Sequence, residues 1–311
     1  MPSQGNLKLF ATVLVAIIVV AGLSVYAYSV TSSLSRQESS LSSEVSSLNQ
    51  ETSILAELET NLGHKEAQAA INYLASNYSR SIGLIPETPH SNRFWLSDNY
   101  VAVLALRQAG SSNSTLMTIA QNISATLARY ARSTGNATNQ YIVLGSDWRG
   151  SCSFHSAKNY TITYSGSATI VATLNNLTGT LSPSQYADIA FLEAICYMNQ
   201  NNYDGWSQGY KQGTSFFNGV GFNDTAFREG SSKGVYQTFK LALSIYAGEY
   251  QCGPINETEY LMALATLLQM QAPNGGFYTG YNSNLSINGT MNVETTSLAI
   301  LALTEYPLCF R

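Results

Sequence analysis

The sequence predicts an all-α fold: antiparallel helical hairpins, about four of them, arranged as an α/α toroid behind a transmembrane helix and a helical stalk. Three observations lead there. Eight segments after residue 64 repeat apolar residues with helical spacing, near 65–79, 98–110, 114–132, 165–178, 183–200, 235–250, 257–271 and 293–305. Their connections alternate between short links (111–113, 179–182, 251–256) and long ones (80–97, 133–164, 201–234, 272–292). The second helix of each pair is apolar nearly all round, as in YVAVLALRQA, SATIVATLNNL, VYQTFKLALSIYA and TTSLAILALTEY. Such helices belong inside, with the first helices ringed around them and every long loop on one face.

The chain opens on a different pattern. Residues 1–8 read as a cytoplasmic tail, and Leu9 to Val30 are 22 residues without a charge. About 20 apolar residues span a bilayer core as a helix. The span therefore predicts a signal anchor, with the C-terminal domain outside a single-pass cell-membrane protein. Residues 31–63 form a Ser-rich stalk in which Leu34, Leu41, Leu48, Leu55 and Leu62 recur every seven residues. One coiled-coil core position is filled, while Glu38, Val45, Thr52 and Glu59 fill the second poorly. A weak oligomeric coiled coil and a single-helix spacer both fit. Residues 64–311 are the extracellular domain.

Composition narrows the function. Charged residues make up 11% and the net charge is −4, which gives no basic footprint for nucleic acid. Ten N-x-S/T sequons, at Asn77, Asn113, Asn122, Asn136, Asn159, Asn176, Asn223, Asn256, Asn284 and Asn288, all follow residue 76 and fit an exported, glycosylated domain. Four widely spaced cysteines without a C-x-x-C predict two disulfides rather than a zinc or redox site. Cys252 and Cys309 follow two inner helices on one face, which pairs them and leaves Cys152 with Cys196. No His or Cys cluster predicts a metal, and no motif predicts a cofactor.

Candidate chemistry collects in the long loops. Asp98 and Glu294 open inner helices, Asp147 lies in Asp147-Trp148-Arg149, and Glu229 sits among aromatics. Paired carboxylates carry out glycoside cleavage, one protonating the leaving oxygen and one activating water or attacking. For each acid alone helix capping is the better explanation, less so for Asp147, which no predicted helix follows at once and which equally fits a structural ion pair. Trp95, Trp148, Trp206, Phe277 and Tyr278 supply flat rings for sugar faces, or else a small core of the loops' own. No G-x-S-x-G elbow is present.

LLQMQAPNGGFYTGY followed by NVETTSLAILAL resembles the repeat of terpenoid-cyclase and prenyltransferase toroids, with Gln271, Gly275 and Phe277 matching Q-x-x-x-G-x-[WF]. FWLSDNYVAVLAL is similar to helix starts in six-hairpin glycosidases. The resemblance implies the toroid fold. The D-x-D-D acid motif of the cyclases and the zinc set of the prenyltransferases are missing, which argues against both activities. The low charge and dense sequons resemble exported proteins of archaea with glycosylated envelopes. Two functions follow as expectations: a surface protein that binds or cleaves glycans in the toroid mouth, or a non-catalytic glycosylated envelope component. The implied partners are the lipid bilayer, glycans, and a second copy or an envelope protein through the stalk.

Overall fold

The computed structural model describes residues 30–31, 37–38, 41–42, 45–46, 63–134, 140–146, 148–163, 167–230, 232–249 and 257–304. The chain divides into two units, Met1–Asn61 and Leu62–Arg311. In the first, the described residues are helical and exposed, Leu41 among them.

The second unit carries the site. Its described helices are α1 (residues 63–76), α2 (Leu96–Ala109), α3 (Ser114–Thr134), α4 (Ala187–Asn199), α5 (Tyr203–Thr214), α6 (Thr225–Glu229), α7 (Thr238–Glu249), α8 (Glu257–Gln269) and α9 (Val293–Thr304). A 3-10 turn occupies Gln140–Leu144, and five strands intervene: β1 (Arg93–Trp95), β2 (Phe154–Thr163), β3 (Thr169–Leu181), β4 (Tyr236–Gln237) and β5 (Gly280–Tyr281). The central helices are α2, α4, α7 and α9. Helix α9 packs against α2 and α7, α7 packs against α4, and the 3-10 turn bridges α4 and α2. Helices α3, α5 and α8 lie against α2, α4 and α7 respectively.

The all-α expectation is corrected here. The segment predicted as a helix over 165–178 is strand β3, antiparallel to β2 from Phe154↔Leu181 to Thr163↔Thr169. Strand β1 joins it in parallel, Phe94 opposite Ile170, giving a three-stranded sheet in the order β1-β3-β2. The reason is compositional: six of the thirteen residues of TIVATLNNLTGTL, four of them Thr, are β-branched, and such side chains suit a pleated surface. Helix α4, expected outside, takes the central place of the misassigned segment, because ADIAFLEAICYMN is buried along most of its length.

Helix α5 lies in the 201–234 connection, which the sequence reads as a long loop able to hold an extra helix. YDGWSQGYKQGT carries Gly205, Gly209 and Gly213, each costing a helix interior up to about 1 kcal/mol relative to Ala. Their spacing of four places them on one face against α4. A Cβ on Gly209 would lie 3.0 Å from the Ala194 amide nitrogen, and one on Gly213 would meet the Phe191 ring at 2.4 Å. Close helix approach offsets the poor propensity.

The membrane expectations are corrected as well. Among the described residues no helix is long and apolar enough to cross a membrane. The long helix α3, of 21 residues, has alternating buried and exposed faces and carries Arg129 and Arg132. The transmembrane signal anchor and the single-pass, extracellular localisation therefore have no support. Apart from Val30, the apolar stretch 9–30 lies outside the described residues.

The loop 270–292 explains the Q-x-x-x-G-x-F match. Gln271 Nε2 donates to the carbonyls of Glu66 (2.7 Å) and Gly275 (3.1 Å), tying the turn to α1. Gly275 has φ +93°, and a Cβ there would lie 2.1 Å from the Ala69 carbonyl oxygen. Phe277 is fully buried, and its amide donates to Thr296 Oγ1 in α9 at 3.0 Å. The motif is a clamp between two helices. Gly275→Ala is expected to lower stability by about 1–3 kcal/mol, from backbone strain alone, measurable by urea denaturation. A neutral result would show that the turn is not held in this conformation.

A disulfide joins Cys152 to Cys196 in α4 across 44 residues. A loop of that length predicts a loss of about 2–4 kcal/mol on reduction, to be read as a drop in thermal midpoint with dithiothreitol. Cys252 and Cys309, and with them the expected second bridge, lie outside the described residues.

Candidate functional site

Each central helix begins with a charged residue in its first turn: Asp98 in α2, Asp188 in α4, Lys240 in α7 and Glu294 in α9. Acids at that position complement the helix dipole, whereas a lysine opposes it. The exception is compensated. Lys240, 2% exposed, forms an ion pair with Asp224 and another with Asp188 at 3.3 Å. Asp224 is fully buried and also accepts from the Ala187 amide at 3.0 Å, capping α4, and from the Phe227 amide at 3.2 Å, capping α6.

The long loops pin each helix start by backbone or near-backbone bonds. Asn99, fully buried, accepts from the Ile85 amide at 2.7 Å and donates to the Ile85 carbonyl at 2.9 Å, which holds α2 against the loop before it. The Val293 amide donates to the Glu87 carbonyl at 3.1 Å, fixing α9. Tyr236 pairs with Tyr281 where β4 meets β5, and the Thr238 amide donates to the Thr279 carbonyl at 3.0 Å, fixing α7. This positioning is the structural use of connections too long for simple turns.

Within that frame the Glu294 charge reaches Asp98. Asp98 is 6% exposed and accepts from Ser97 Oγ at 2.9 Å. Glu294 accepts from the Tyr141 hydroxyl at 2.5 Å. Burial pushes the Asp98 carboxyl well above its usual range, and the neighbouring Glu294 charge adds to the rise. Burial also raises Glu294, while hydrogen bonds from Tyr141 and Asn292 oppose the rise and Asp188 reinforces it. Burial likewise holds the Tyr141 hydroxyl well above its ordinary value, aided by Glu294. A buried carboxyl group beside a second, partly buried one holds its proton into the pH range where an isolated one has lost it. Among the described residues no group of three His, Cys, Asp or Glu is placed to hold a metal ion.

Tyr141 was missed in the sequence, where QYIVL read as loop. Its 3-10 turn is fixed by Asn199 of α4, whose Nδ2 donates to the carbonyls of Val143 (2.7 Å) and Gly145 (3.2 Å). A buried-looking QYIVL inside a 32-residue connection was the available signal.

The other expected site residues are dispersed. Glu229 is exposed at the end of α6, and Asp147 lies outside the described residues. Trp206 is 1% exposed, stacks on Tyr210 at 5.6 Å between ring centroids, and donates its indole N–H to the Ala247 carbonyl. It is part of the core, as is Phe277. Tyr278 is partly buried and bridges to Met291. Trp95 is partly buried beneath the Arg93 guanidinium, 4.5 Å from the ring centroid. Trp148 is partly buried beside α2 and lines a groove there. Of the aromatics, many form the loops' own core, as in the Phe227–Tyr236 stack at 4.3 Å. Of the sequon asparagines, Asn113, Asn122, Asn284 and Asn288 are exposed and Asn77 and Asn223 partly buried. The side chains of Asn136, Asn159, Asn176 and Asn256 are outside the description.

Comparison with protein-family models, with curated proteins and with solved structures finds no match to this chain.

Proposed function

We propose that this protein acts on carbohydrate at the face where its central helices begin, through the Asp98–Glu294 pair. The observation that carries the reading is the buried Asp98 carboxyl with raised proton affinity, on which the charge of Glu294 acts, Glu294 itself being hydrogen-bonded by Tyr141 at 2.5 Å. In this reading Asp98 is the proton donor to the leaving glycosidic oxygen, since burial and the Glu294 charge both favour its neutral form. Glu294, which accepts from Tyr141 and Asn292, is the carboxylate that activates water or attacks the sugar carbon. Glycans are the substrate class because cleaving their links requires only such a pair and no cofactor.

A second reading rests on a specific observation. Asp98 is almost wholly buried, which suits a non-catalytic scaffold whose paired acids join α2 to α9. A screen of the full-length chain against polysaccharides and glycoprotein glycans, for binding and for release of reducing ends, separates the two. Turnover supports the first reading, and neither binding nor turnover on any glycan refutes it.

A further inference from the structure

We infer that the groove between α2 and α3 binds a linear amphiphile with an anionic head, such as a fatty acid or an alkyl phosphate. This inference does not depend on the carbohydrate reading. The groove has a volume of about 700 Å³, within the roughly 300–1,000 Å³ typical of small-molecule sites.

Its origin is legible in the two helices. On α2, Ser97, Tyr100, Leu104 and Arg107 recur every three or four residues and form one stripe. The facing stripe of α3 is Ser124, Leu127, Ala128 and Ala131. Three of those four are small. Where α3 would ordinarily insert a ridge of large side chains, it leaves a channel instead. From Ser97 to Arg107 the channel runs about 15 Å along the helix axis, and leucine, valine, isoleucine and alanine supply half of its lining residues.

The ends differ in chemistry. At one, the exposed Arg107 reaches Ser124 Oγ at 3.2 Å, and no carboxylate lines the groove among the described residues. Arg107 is the cationic group among the described lining residues, and its guanidinium donates in a fork that matches a carboxylate or phosphate. Toward the other end, Ile142 of the 3-10 turn, whose carbonyl lies 3.5 Å from the Tyr100 hydroxyl, and Trp148 line the channel. A slot half lined by apolar residues, with a guanidinium at one end and no carboxylate among its described lining residues, fits a chain with its charged head at Arg107. A neutral or cationic amphiphile lacks that complement.

The test titrates the full-length protein with dodecanoate and with dodecanol below their micelle concentrations. Calorimetry gives the stoichiometry, and tryptophan emission reports on the Trp148 end. The expected result is one saturable dodecanoate site. Arg107→Gln, a surface change, should weaken dodecanoate about tenfold or more and leave dodecanol within twofold. Ala128→Leu should fill the channel and remove both ligands. Absence of saturable binding to the wild type, equal weakening of both ligands by Arg107→Gln, or dodecanoate binding that survives Ala128→Leu would each overturn the inference. The same absence of binding is the outcome expected if a segment of this chain already fills the groove.

Discussion

Replacing Glu294 by Gln is expected to lower glycan turnover at least about a hundredfold, the lower end of general acid–base contributions. The substitution keeps the side chain's size and an acceptor for the Tyr141 hydroxyl. It removes a carboxyl group whose charged form burial disfavours. Stability should therefore hold or rise slightly, so that activity and stability move in different directions. A scaffold role predicts no activity to lose.

The pH dependence carries the same signature. Asp98 and Glu294 both bind protons more tightly in the folded chain than in the unfolded one. Their contribution to stability is complete below their ordinary range, near about pH 4, and is lost as pH rises through the raised folded values. Asp98→Asn abolishes one of these terms. Its thermal midpoint should be close to wild type near pH 4 and should pull ahead as pH rises toward neutrality. Parallel midpoint curves for the two proteins would mean that Asp98 ionises as freely folded as unfolded.

The largest effect on stability is expected at Asp224. Asp224→Ala leaves buried Lys240 with Asp188 alone, and strips the caps from the Ala187 and Phe227 amides. Removing one partner of a buried ion pair costs about 3–5 kcal/mol because the other charge is left uncompensated. Urea denaturation should show a shift of that order with an unchanged slope. A loss below about 1 kcal/mol would mean that water reaches Lys240 and the network is not closed.

Much of the site frame is readable in the sequence, and the failures have physical causes. Helices 98–110, 235–250 and 293–305 were legible because their apolar character runs all round, and Asp98 and Glu294 because each opens such a helix. SATIVATLNNL reads as helix because a short apolar run has no decisive period; its β-branched content is the better guide. Helix α5 is legible only as an extra helix that 201–234 could hold; its place is obscured by Gly205, Gly209 and Gly213, whose value appears against the Phe191 and Tyr197 rings of α4. Trp206 looked like a ligand platform because loops rarely hold tryptophan, yet its segment is that same hidden helix. Tyr141, Asp188 and Lys240 were invisible as partners because nothing local links positions that meet only when α4, α7 and α9 start side by side. The aromatic wealth of the 270–292 connection had a local meaning: Phe277 and Tyr281 fill the core beneath a clamp.

The central claim is that Asp98 and Glu294 form a reactive pair within reach of a sugar. Epoxyalkyl glycosides test it most directly, since the epoxide alkylates a carboxylate placed to attack while a neighbouring acid protonates the opening ring. Full-length protein treated with such a probe and mapped by mass spectrometry is expected to carry the label on Glu294. The labelling should be slowed by a competing free glycan and lost in Asp98→Asn. Labelling confined to exposed carboxylates such as Glu229, unaffected by competitor or by Asp98→Asn, would contradict the account.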